Sequence, residues 1–345
     1  MSHFAIINPG GLTNFGERAI MLGTVIDIRN KDQEAEIAIF GYENLQEEDP
    51  GLHRQLSAYG VRFFPHIVQG SGLVRYRQLL GMFLLPRLFW PRDSYDYIEK
   101  ATVLSKGQET LTETYGNKHF FDSVLEQLLV SRFNKNITLH GQSIGPVKRW
   151  HWLAPHILRR FKQINVRDSI SYEVVVNNLN ISADKTAKID DLAFSAVADY
   201  RALNEKPAPK HLLVIPNAAL LQTEQQANAY LDRIAEIVSK ENKHELPVLV
   251  ASSVTDGAWN NDYALCNLLA SKYRNMTLKR FKQLDELLFA IDNSEIVFSS
   301  RLHPIILSIG LGTRCVATAD SSKIRGIIRD KSPGTKIITP WPCKQ

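Results

Sequence analysis

The sequence is poor in the features that define several protein classes. Its 345 residues include only three cysteines, Cys266, Cys315 and Cys343. Their odd number and wide spacing fit neither a disulfide framework nor a zinc site. The sequence has no uninterrupted apolar stretch of about 18 residues, so no transmembrane helix is expected. Residues 4–7 are apolar but lack the basic start and long apolar core of a signal peptide. We therefore expect a cytoplasmic globular protein.

The sequence also lacks a large excess of either positive or negative charge. The 41 Lys and Arg residues against 36 Asp and Glu residues give a net charge of +5, without a long basic run. Nucleic-acid-binding proteins usually concentrate basic residues in one run or on one face, so no nucleic-acid partner is expected. The small excess favours an anionic small molecule or an acidic membrane surface.

Short apolar runs alternate with longer helical patterns along the whole sequence. This alternation predicts an α/β fold with parallel sheets built from right-handed crossovers. A polar segment with two prolines, from Ala198, predicts a linker. The expected architecture is two Rossmann-like domains, residues 1–200 and 201–345, with mainly parallel sheets facing each other across a cleft. The predicted strands begin at Phe4, Ala35, Val61, Ala101, Ile137, Ile164, His211, Leu246, Glu295 and Arg314.

The segment after the strand from Glu295 carries the strongest chemical signal. Arg301 and His303 follow that strand and precede an apolar helix. A helix N-terminus supplies unpaired N–H groups and partial positive charge, and a guanidinium can grip a carboxylate or phosphate with two N–H groups. The pattern therefore predicts an anion site. A capping serine, a salt-bridged arginine and a partly buried histidine are the structural alternative, which spacing alone does not exclude.

Arg167 ends another apolar strand, followed by Asp168 and Ser169, which are ordinary caps for the next helix. The arginine is predicted to point from the strand end into the cleft. Its alternative is a solvated ion pair with Asp168. In the segment HGQSIGP, from His140, two glycines and a proline predict a tight turn after the strand.

The segment between the first strand and the first helix is glycine-rich and contains Asn14, Gly16 and Glu17. This position is a usual ligand site in open α/β domains, although the pattern is not a dinucleotide fingerprint. Glu17 suits a sugar hydroxyl, or a role as base, better than a phosphate. A simple helix N-terminal carboxylate is the structural alternative for this residue.

Five segments occur together in an order that resembles the polysaccharide pyruvyl transferase family. They are TNFGERAI from Thr13, HGQSIGP from His140, VRDSISYE from Val166, DDLAFS from Asp190 and SSRLHPIILSIGLGTRCVA from Ser299. The last is the most specific, with Ser-x-Arg-x-His, an apolar helix and Gly-x-x-x-Val-Ala. Together the segments span about residues 14–317.

The resemblance implies two glycosyltransferase-B-like Rossmann domains, with the acceptor on the 1–200 side and the donor on the 201–345 side. It implies transfer of pyruvate from phosphoenolpyruvate onto two hydroxyls of a glycan or lipid-linked sugar, as a ketal. Phosphoenolpyruvate is a substrate, and neither a cofactor nor a metal is expected. Such a reaction belongs to exopolysaccharide or cell-surface glycan synthesis.

The resemblance implies that Arg167, Arg301 and His303 hold the donor, and the residues themselves suggest further roles. The expected donor-binding residues are Arg167, Ser300, Arg301 and His303. The expected acceptor-binding residues are Asn14, Gly16, Glu17 and Gln142. His303 is the candidate general acid because an imidazole titrates near neutral pH. Glu17 is the candidate base, with Asp191 as its alternative.

The sequence departs from the family in two places. Many members have Gly-Asp where this chain has Gly16 and Glu17, and a run of glycines where this chain has KGQET at residues 106–110. Two alternative hypotheses stay open. One is a nucleotide-sugar glycosyltransferase of the same architecture, whose donor also needs basic groups. The other is a non-catalytic relative that binds glycan, which the changed KGQET segment would fit.

Residues 73–92 mix apolar and aromatic side chains with four arginines. Basic charge beside Phe89 and Trp90 suits a peripheral contact with an anionic membrane, at its inner face, where a lipid-linked acceptor would lie. A helix broken at Pro86 and packed in the core is the preferred interpretation, because helices this apolar usually pack in a core.

Overall fold

The computed structural model describes residues 1–68, 72–114, 116–221, 223–255 and 262–339. The chain forms two compact α/β units. Met1–Gly10 with Ile20–Leu192 form the first unit, and Gly11–Ala19 with Ala193–Gln345 form the second. The short segment Gly11–Ala19 therefore belongs to a different unit from the residues on either side of it.

A parallel sheet of eight strands forms the centre of the first unit. Its strands are β1 (His3–Ile7), β2 (Glu36–Phe40), β3 (Val61–Phe64), β4 (Thr102–Ser105), β5 (Glu109–Thr110), β6 (Ile137–Ile144), β7 (Gln163–Val166) and β8 (Thr186–Lys188). They lie in the order β3-β2-β1-β4-β6-β7-β8, with β5 paired to β6. In β1, Phe4 lies opposite Ile37 on one side and Thr102 on the other. The winding direction reverses at β1, so β1 and β4 form the switch point, where such sheets bind ligands.

Nine α-helices accompany this sheet in the described residues. They are α1 (Phe15–Lys31), α2 (Leu45–Glu48), α3 (Pro50–Ala58), α4 (Gly72–Leu84), α5 (Pro86–Phe89), α6 (Arg92–Lys100), α7 (Gly116–Val130), α8 (Ala154–Leu158) and α9 (Ser169–Glu173). A π-helical turn, Val174–Asn178, continues α9, and a 3-10 turn covers Ala183–Lys185. The first turn of α1 belongs to the second unit and the rest to the first. Apolar strand residues such as Ile7, Val103 and Leu139 form the core with the helices.

The second unit repeats the same winding pattern with six parallel strands. They are β9 (His211–Ile215), β10 (Val248–Ala251), β11 (Met276–Lys279), β12 (Ser294–Ser299), β13 (Arg314–Ala317) and β14 (Lys336–Ile337). Their order is β11-β10-β9-β12-β13-β14, so β9 and β12 form its switch point. Its helices are α10 (Ala193–Leu203), α11 (Glu224–Glu241), α12 (Tyr263–Lys272), α13 (Leu284–Asp292), α14 (Leu302–Leu311) and α15 (Ser322–Lys331). A 3-10 turn, Ala218–Leu220, follows β9.

The α/β class with two parallel sheets is confirmed, and all ten predicted strands are present. The prediction of a linker from Ala198 is wrong at its start, because α10 continues to Leu203. Arg201 fixes this part of α10, since its Nη1 donates to Asp292 Oδ2 over 2.9 Å. The segment is therefore helical through residue 203, and its prolines lie in the irregular stretch between α10 and β9.

The turn predicted in HGQSIGP is also wrong at its first glycine. Strand β6 continues through Ile144, and Gly141 lies at an irregularity in its pairing with β7, between His140 and Gln142. Gly141 has a φ of 76°, a conformation that glycine adopts without strain, and this accounts for a glycine inside a strand.

Residues 75–92 lie only partly in the core. The predicted break is present, with Leu85 between α4 and α5. Leu79, Met82 and Trp90 are buried as expected, but Leu80, Leu84 and Leu88 are 59%, 61% and 77% exposed. The preference for a core-packed helix was therefore wrong for one face of α4 and for α5. In the described parts of the chain, no helix combines the length and apolar character needed to cross a membrane.

Candidate functional site

Arg301 and His303 lie at the switch point of the second sheet. Strand β12 ends at Ser299, and the N–H of Ser300 donates to the carbonyl of Ile215 at the end of β9, over 3.1 Å. Arg301 is the N-cap residue of α14, and His303 is the second residue of that helix. The first-turn N–H groups of α14 and its partial positive charge are therefore beside both side chains.

The Arg301 guanidinium is fixed by Asp262. Its Nε donates to Oδ2 over 2.6 Å and its Nη2 donates to Oδ1 over 2.8 Å, which makes a two-pronged ion pair. Asp262 is fully buried, and its Oδ1 also accepts the N–H of Ala218 over 2.8 Å. Such a pair holds the guanidinium plane in one orientation before any ligand arrives. Asp262 was not expected from the sequence, where it has no recognisable motif around it.

Gly16 lies directly against the imidazole of His303. A Cβ atom built on Gly16 would be 2.0 Å from His303 Nδ1 and 2.2 Å from Cγ, far inside van der Waals contact. No other residue type fits at this position while the imidazole stays where it is. The contact places the start of α1, with Glu17 in its first turn, beside His303.

The segment around Asn14 is tied to the residues after β10. Phe15 N–H donates to the carbonyl of Ser253 over 3.1 Å, and Thr255 N–H donates to the carbonyl of Thr13 over 2.7 Å. Asn14 forms an antiparallel bridge with Val254, and its Oδ1 accepts the N–H of Gly16 over 2.9 Å. The structure thus brings the predicted residues Asn14, Gly16 and Glu17 together with His303 in the second unit.

Arg18 anchors the same segment and was missed by the sequence analysis. It is buried, its Nε donates to the carbonyl of Leu12 over 2.5 Å, and its Nη1 donates to the carbonyl of Lys282 over 2.8 Å. Its guanidinium also lies over the Phe15 ring, 4.7 Å from the centroid. The arginine in TNFGERAI is therefore a structural residue that holds the glycine-rich segment in place.

Ser300 is buried in a network of hydroxyl groups. Its Oγ is hydrogen-bonded to the Tyr230 hydroxyl and lies 2.8 Å from Thr318 Oγ1. Burial raises the pKa of Tyr230 to about 12, although its bonds to Ser300 and Thr318 oppose the rise, so the phenol is neutral at physiological pH. These contacts give Ser300 a structural function beneath Arg301. Donor binding by its hydroxyl stays a prediction.

Arg167 belongs to the first unit, and its contacts lie there. Its Nε donates to Ser143 Oγ over 2.8 Å, and its Nη1 donates to Asp191 Oδ2 over 2.8 Å, with both charged side chains almost fully buried. Burial opposes the charged form, but the Asp191, Glu109 and Asp168 carboxylates keep the pKa of Arg167 above its ordinary value. Arg167 is thus a charged, internally paired residue. The alternative of a solvated pair with Asp168 is wrong in its partner, which is Asp191, and in its exposure, because the pair is buried. Its role toward the donor stays a prediction.

Gln142 uses its side-chain amide to hold the KGQET segment. Its Nε2 donates to the carbonyls of Ser105 and Lys106, each over 2.9 Å, and its Oε1 accepts the Thr110 hydroxyl over 2.6 Å. The segment is therefore ordered, and it ends in strand β5 on the edge of β6. These bonds favour a structural role for Gln142, and acceptor binding through it stays a prediction.

The second unit thus contains a guanidinium, an imidazole and a helix N-terminus beside one another. This arrangement can hold a small anion that bears a carboxylate or a phosphate, and the imidazole can exchange a proton with it. Among the described residues, no group of three or more His, Cys, Asp or Glu side chains is arranged to hold a metal ion.

Comparison with known proteins gives one family. The family model for polysaccharide pyruvyl transferase matches residues 14–322, which include Arg167, Arg301 and His303. None of the curated proteins compared with the sequence matches it.

Solved structures share the fold at low sequence identity. A UDP-GlcNAc 2-epimerase from Neisseria meningitidis bound to UDP-GlcNAc is 12% identical with a TM-score of 0.59, over 99% of this chain and 88% of that one. The enzyme of the same name from Methanocaldococcus jannaschii is 11% identical with a TM-score of 0.57, over 99% and 89%. A glycosyltransferase from Rickettsia africae is 10% identical with a TM-score of 0.55, over 96% and 82%. The chain therefore has a glycosyltransferase-B-like fold of two Rossmann-like units.

Proposed function

Since the chain belongs to the polysaccharide pyruvyl transferase family, we propose that it transfers pyruvate from phosphoenolpyruvate onto two hydroxyls of a sugar. The acceptor is a glycan or a lipid-linked sugar, and the product is a cyclic ketal. The reaction would serve exopolysaccharide or cell-surface glycan synthesis in the cytoplasm.

The observation that carries this proposal is the position of Arg301 and His303 at the N-terminus of α14. Phosphoenolpyruvate has a carboxylate and a phosphate close together, which matches a guanidinium, an imidazole and a helix N-terminus. Asp262 fixes the guanidinium plane, so little conformational entropy is lost when the donor binds.

The chemistry needs one proton delivered to the donor and two removed from the acceptor. His303 protonates the methylene carbon C3, which leaves positive charge on C2, and the first sugar hydroxyl attacks C2 and loses its proton. The C2–O bond to phosphate then breaks, and phosphate leaves with its bridging oxygen. The second hydroxyl attacks C2, which closes the ketal, and its proton goes to the departing phosphate. Glu17 is the proposed acceptor of a hydroxyl proton, because Gly16 places the first turn of α1 beside His303.

An exposed apolar surface on α4 and α5 supports membrane contact as part of this proposal. We define the α4–α5 surface as the exposed residues Tyr76, Leu80, Phe83, Leu84, Leu85, Leu88 and Phe89. The α4 members have spacings of four, seven and eight residues from Tyr76, which places them on one helical face. Residues 72–92 contain four arginines and no acidic residue, which suits an anionic lipid surface. The ion pairs of Arg87 with Glu99 and Arg92 with Asp96 are exposed and hence weak.

Calorimetric titration with phosphoenolpyruvate, beside UDP-GlcNAc and other nucleotide sugars, tests the function. The proteins are the wild type, Arg301→Lys, His303→Gln and the control Arg325→Lys, whose arginine is exposed on α15. Arg301→Lys keeps a positive charge next to buried Asp262 but removes the planar fork. We expect the wild type and the control to bind phosphoenolpyruvate and the two site variants to bind at least about tenfold more weakly.

Binding of a nucleotide sugar alone would overturn the proposal in favour of a glycosyltransferase. Phosphoenolpyruvate binding without phosphate release, across a panel of sugar acceptors, would favour the non-catalytic relative. Phosphate release that requires both donor and acceptor, and that is lost in His303→Gln, would support both the reaction and the acid.

A further inference from the structure

A cavity of about 590 Å³ lies in the first unit, at the carboxyl ends of β1, β2 and β3. Asn8, Glu43 and His66 line it, and each follows one of these strands by a few residues. Its volume falls within the roughly 300–1,000 Å³ typical of small-molecule sites. This edge of a parallel sheet is also where such sheets bind ligands. No residue predicted from the sequence to bind the donor or the acceptor lines this cavity.

The wall of the cavity is held in a defined arrangement. Gly41 has a φ of 115°, and a Cβ built there would be 2.5 Å from the His66 imidazole. His66 is therefore packed against bare backbone, much as His303 is packed against Gly16. Asn8 adopts a left-handed conformation with φ 57°, and its N–H donates to the carboxylate of Glu126.

Glu126, on α7, is the most unusual group in this wall. Its Oε1 is buried and has no hydrogen-bond partner among the described residues. Leaving such a carboxylate oxygen unsatisfied is costly, and a ligand that donates a hydrogen bond would remove the cost. Burial raises the pKa of Glu126 to about 7, although the Asn8 N–H and the Arg75 charge oppose the rise.

The charges in the lining select the class of ligand. Three acidic residues, Glu43, Asp122 and Glu126, line the cavity against one arginine, Arg75, and the exposed Lys118 pairs with Asp122. This acidic excess disfavours a phosphate or a second phosphoenolpyruvate. A neutral sugar fits, because each hydroxyl can donate to a carboxylate and accept from a guanidinium or an amide. Three apolar side chains, including Leu125, provide a surface for the C–H face of a sugar ring.

We propose that this cavity is a binding site for a neutral sugar, in which Glu126 accepts a hydrogen bond from a sugar hydroxyl. The assignment of that sugar as the acceptor rests on the proposed function, whereas the site itself rests on the cavity. Glu126 joins no step of the chemistry given above, so this inference adds a substrate-binding residue outside the predicted set.

Saturation-transfer NMR tests the site with p-nitrophenyl glycosides of galactose, glucose, mannose, N-acetylglucosamine and N-acetylmannosamine, each with saturating phosphoenolpyruvate. The proteins are the wild type, Glu126→Gln, Leu125→Trp and the control Glu47→Gln, whose carboxylate is exposed on α2. Glu126→Gln keeps the shape of the side chain, and Leu125→Trp fills the cavity. Calorimetry with phosphoenolpyruvate alone is run on all four proteins.

We expect at least one glycoside to bind the wild type and the control equally. At about pH 8, above the pKa of about 7 of Glu126, its carboxylate is mostly ionised, and Glu126→Gln should weaken that glycoside at least about tenfold because a hydrogen bond to a charged group is lost. Leu125→Trp should abolish its binding, and affinity for phosphoenolpyruvate should not change. If Leu125→Trp does not fold, Glu126→Gln alone decides.

Two results would overturn the sugar site. One is phosphoenolpyruvate binding without binding of any glycoside, which leaves the proposed function intact. The other is glycoside binding that is the same in Glu126→Gln as in the wild type. If the wild type does not bind phosphoenolpyruvate, that result counts against the proposed function. The comparison of glycoside binding between the wild type and Glu126→Gln still tests the sugar site.

Discussion

The backbone of Gly16 occupies the space next to the imidazole of His303, with a Cβ position only 2.0 Å from Nδ1. The two residues are far apart in the sequence but share one unit. A glycine within TNFGERAI and a histidine within SSRLHP are thus parts of one contact. This contact explains why position 16 is a glycine, because a methyl group there would displace the imidazole of the proposed acid, His303.

Gly16→Ala is expected to destabilise the protein by about 1–3 kcal/mol through overpacking. The matched control is Gly11→Ala, whose Cβ would meet only Thr13 Oγ1, at an ordinary 3.7 Å. In a His303→Ala background, Gly16→Ala should lower the free energy of unfolding only slightly, because the imidazole that clashes with the new methyl group is absent. Urea unfolding of the four proteins in this cycle measures the coupling. Additivity within about 0.5 kcal/mol would show that the two residues do not meet.

Removing either member of the Arg301–Asp262 pair should cost about 3–5 kcal/mol, because the other charge is left buried. Replacing both, as in Arg301→Met with Asp262→Leu, should cost clearly less than the sum of Arg301→Ala and Asp262→Ala. Chemical denaturation measures the free energy of unfolding of the two single variants and the double variant. Equal costs for the double variant and the summed single variants would indicate that the ion pair contributes little in solution.

Glu126→Gln is expected to change how stability depends on pH. Burial raises the pKa of Glu126 from 4.5 to about 7, so the folded protein retains a proton that the unfolded chain loses. The resulting stabilisation is complete below pH 4.5 and is lost as the pH rises through about 7. Glutamine cannot ionise, so the variant should be more stable than the wild type at about pH 8, by about 1–3 kcal/mol, with little difference near pH 4.5.

Urea unfolding at both pH values tests this expectation, with Glu47→Gln as the control for loss of an exposed carboxylate. The groups that line the same cavity are Glu43, His66, Arg75 and Asp122. Because the His66 imidazole lines the same cavity, His66→Gln is measured beside the other variants. A pH profile that is the same for Glu126→Gln and the wild type would show that Glu126 has an ordinary pKa.

The α4–α5 surface predicts binding to vesicles that contain phosphatidylglycerol, with weaker binding to pure phosphatidylcholine. Leu84→Asp with Leu88→Asp should lower vesicle affinity by at least about tenfold, since each buried leucine contributes about 1.5–3 kcal/mol. Leu203→Asp is the control, because Leu203 is 79% exposed elsewhere. Co-sedimentation measures the binding. Loss of a dimer, instead of loss of vesicle binding, would identify a second copy of the chain as the partner.

Local sequence patterns predicted most of the fold because the central strands are short, apolar and separated by helices. The strands that were missed, β5, β8, β11 and β14, have two to four residues and mixed polarity. Strand β11, with the sequence MTLK, is a sheet edge and therefore lacks the apolar run of a central strand.

The same reasoning placed Ser300, Arg301 and His303 after a strand end but could not find the partners of Ser300 and Arg301. Asp262 is 39 residues from Arg301, and Tyr230 is 70 residues from Ser300. Neither partner has a local motif, since each is selected by three-dimensional contact. Glu126 escaped notice for a related reason, because an acidic residue in a helix is usually solvated, and only the burial of its Oε1 distinguishes it.

The chain cannot be dissected at a single peptide bond into two folding fragments. A fragment that starts at Ala193 would lack Gly11–Ala19, which belongs to the second unit. It would lose the hydrogen bonds from Phe15 to Ser253 and from Arg18 to Lys282. It would also lose Gly16, which packs against His303. During synthesis, the glycine-rich segment therefore leaves the ribosome long before its binding partners exist, and it must wait for the last third of the chain before it can take its final conformation.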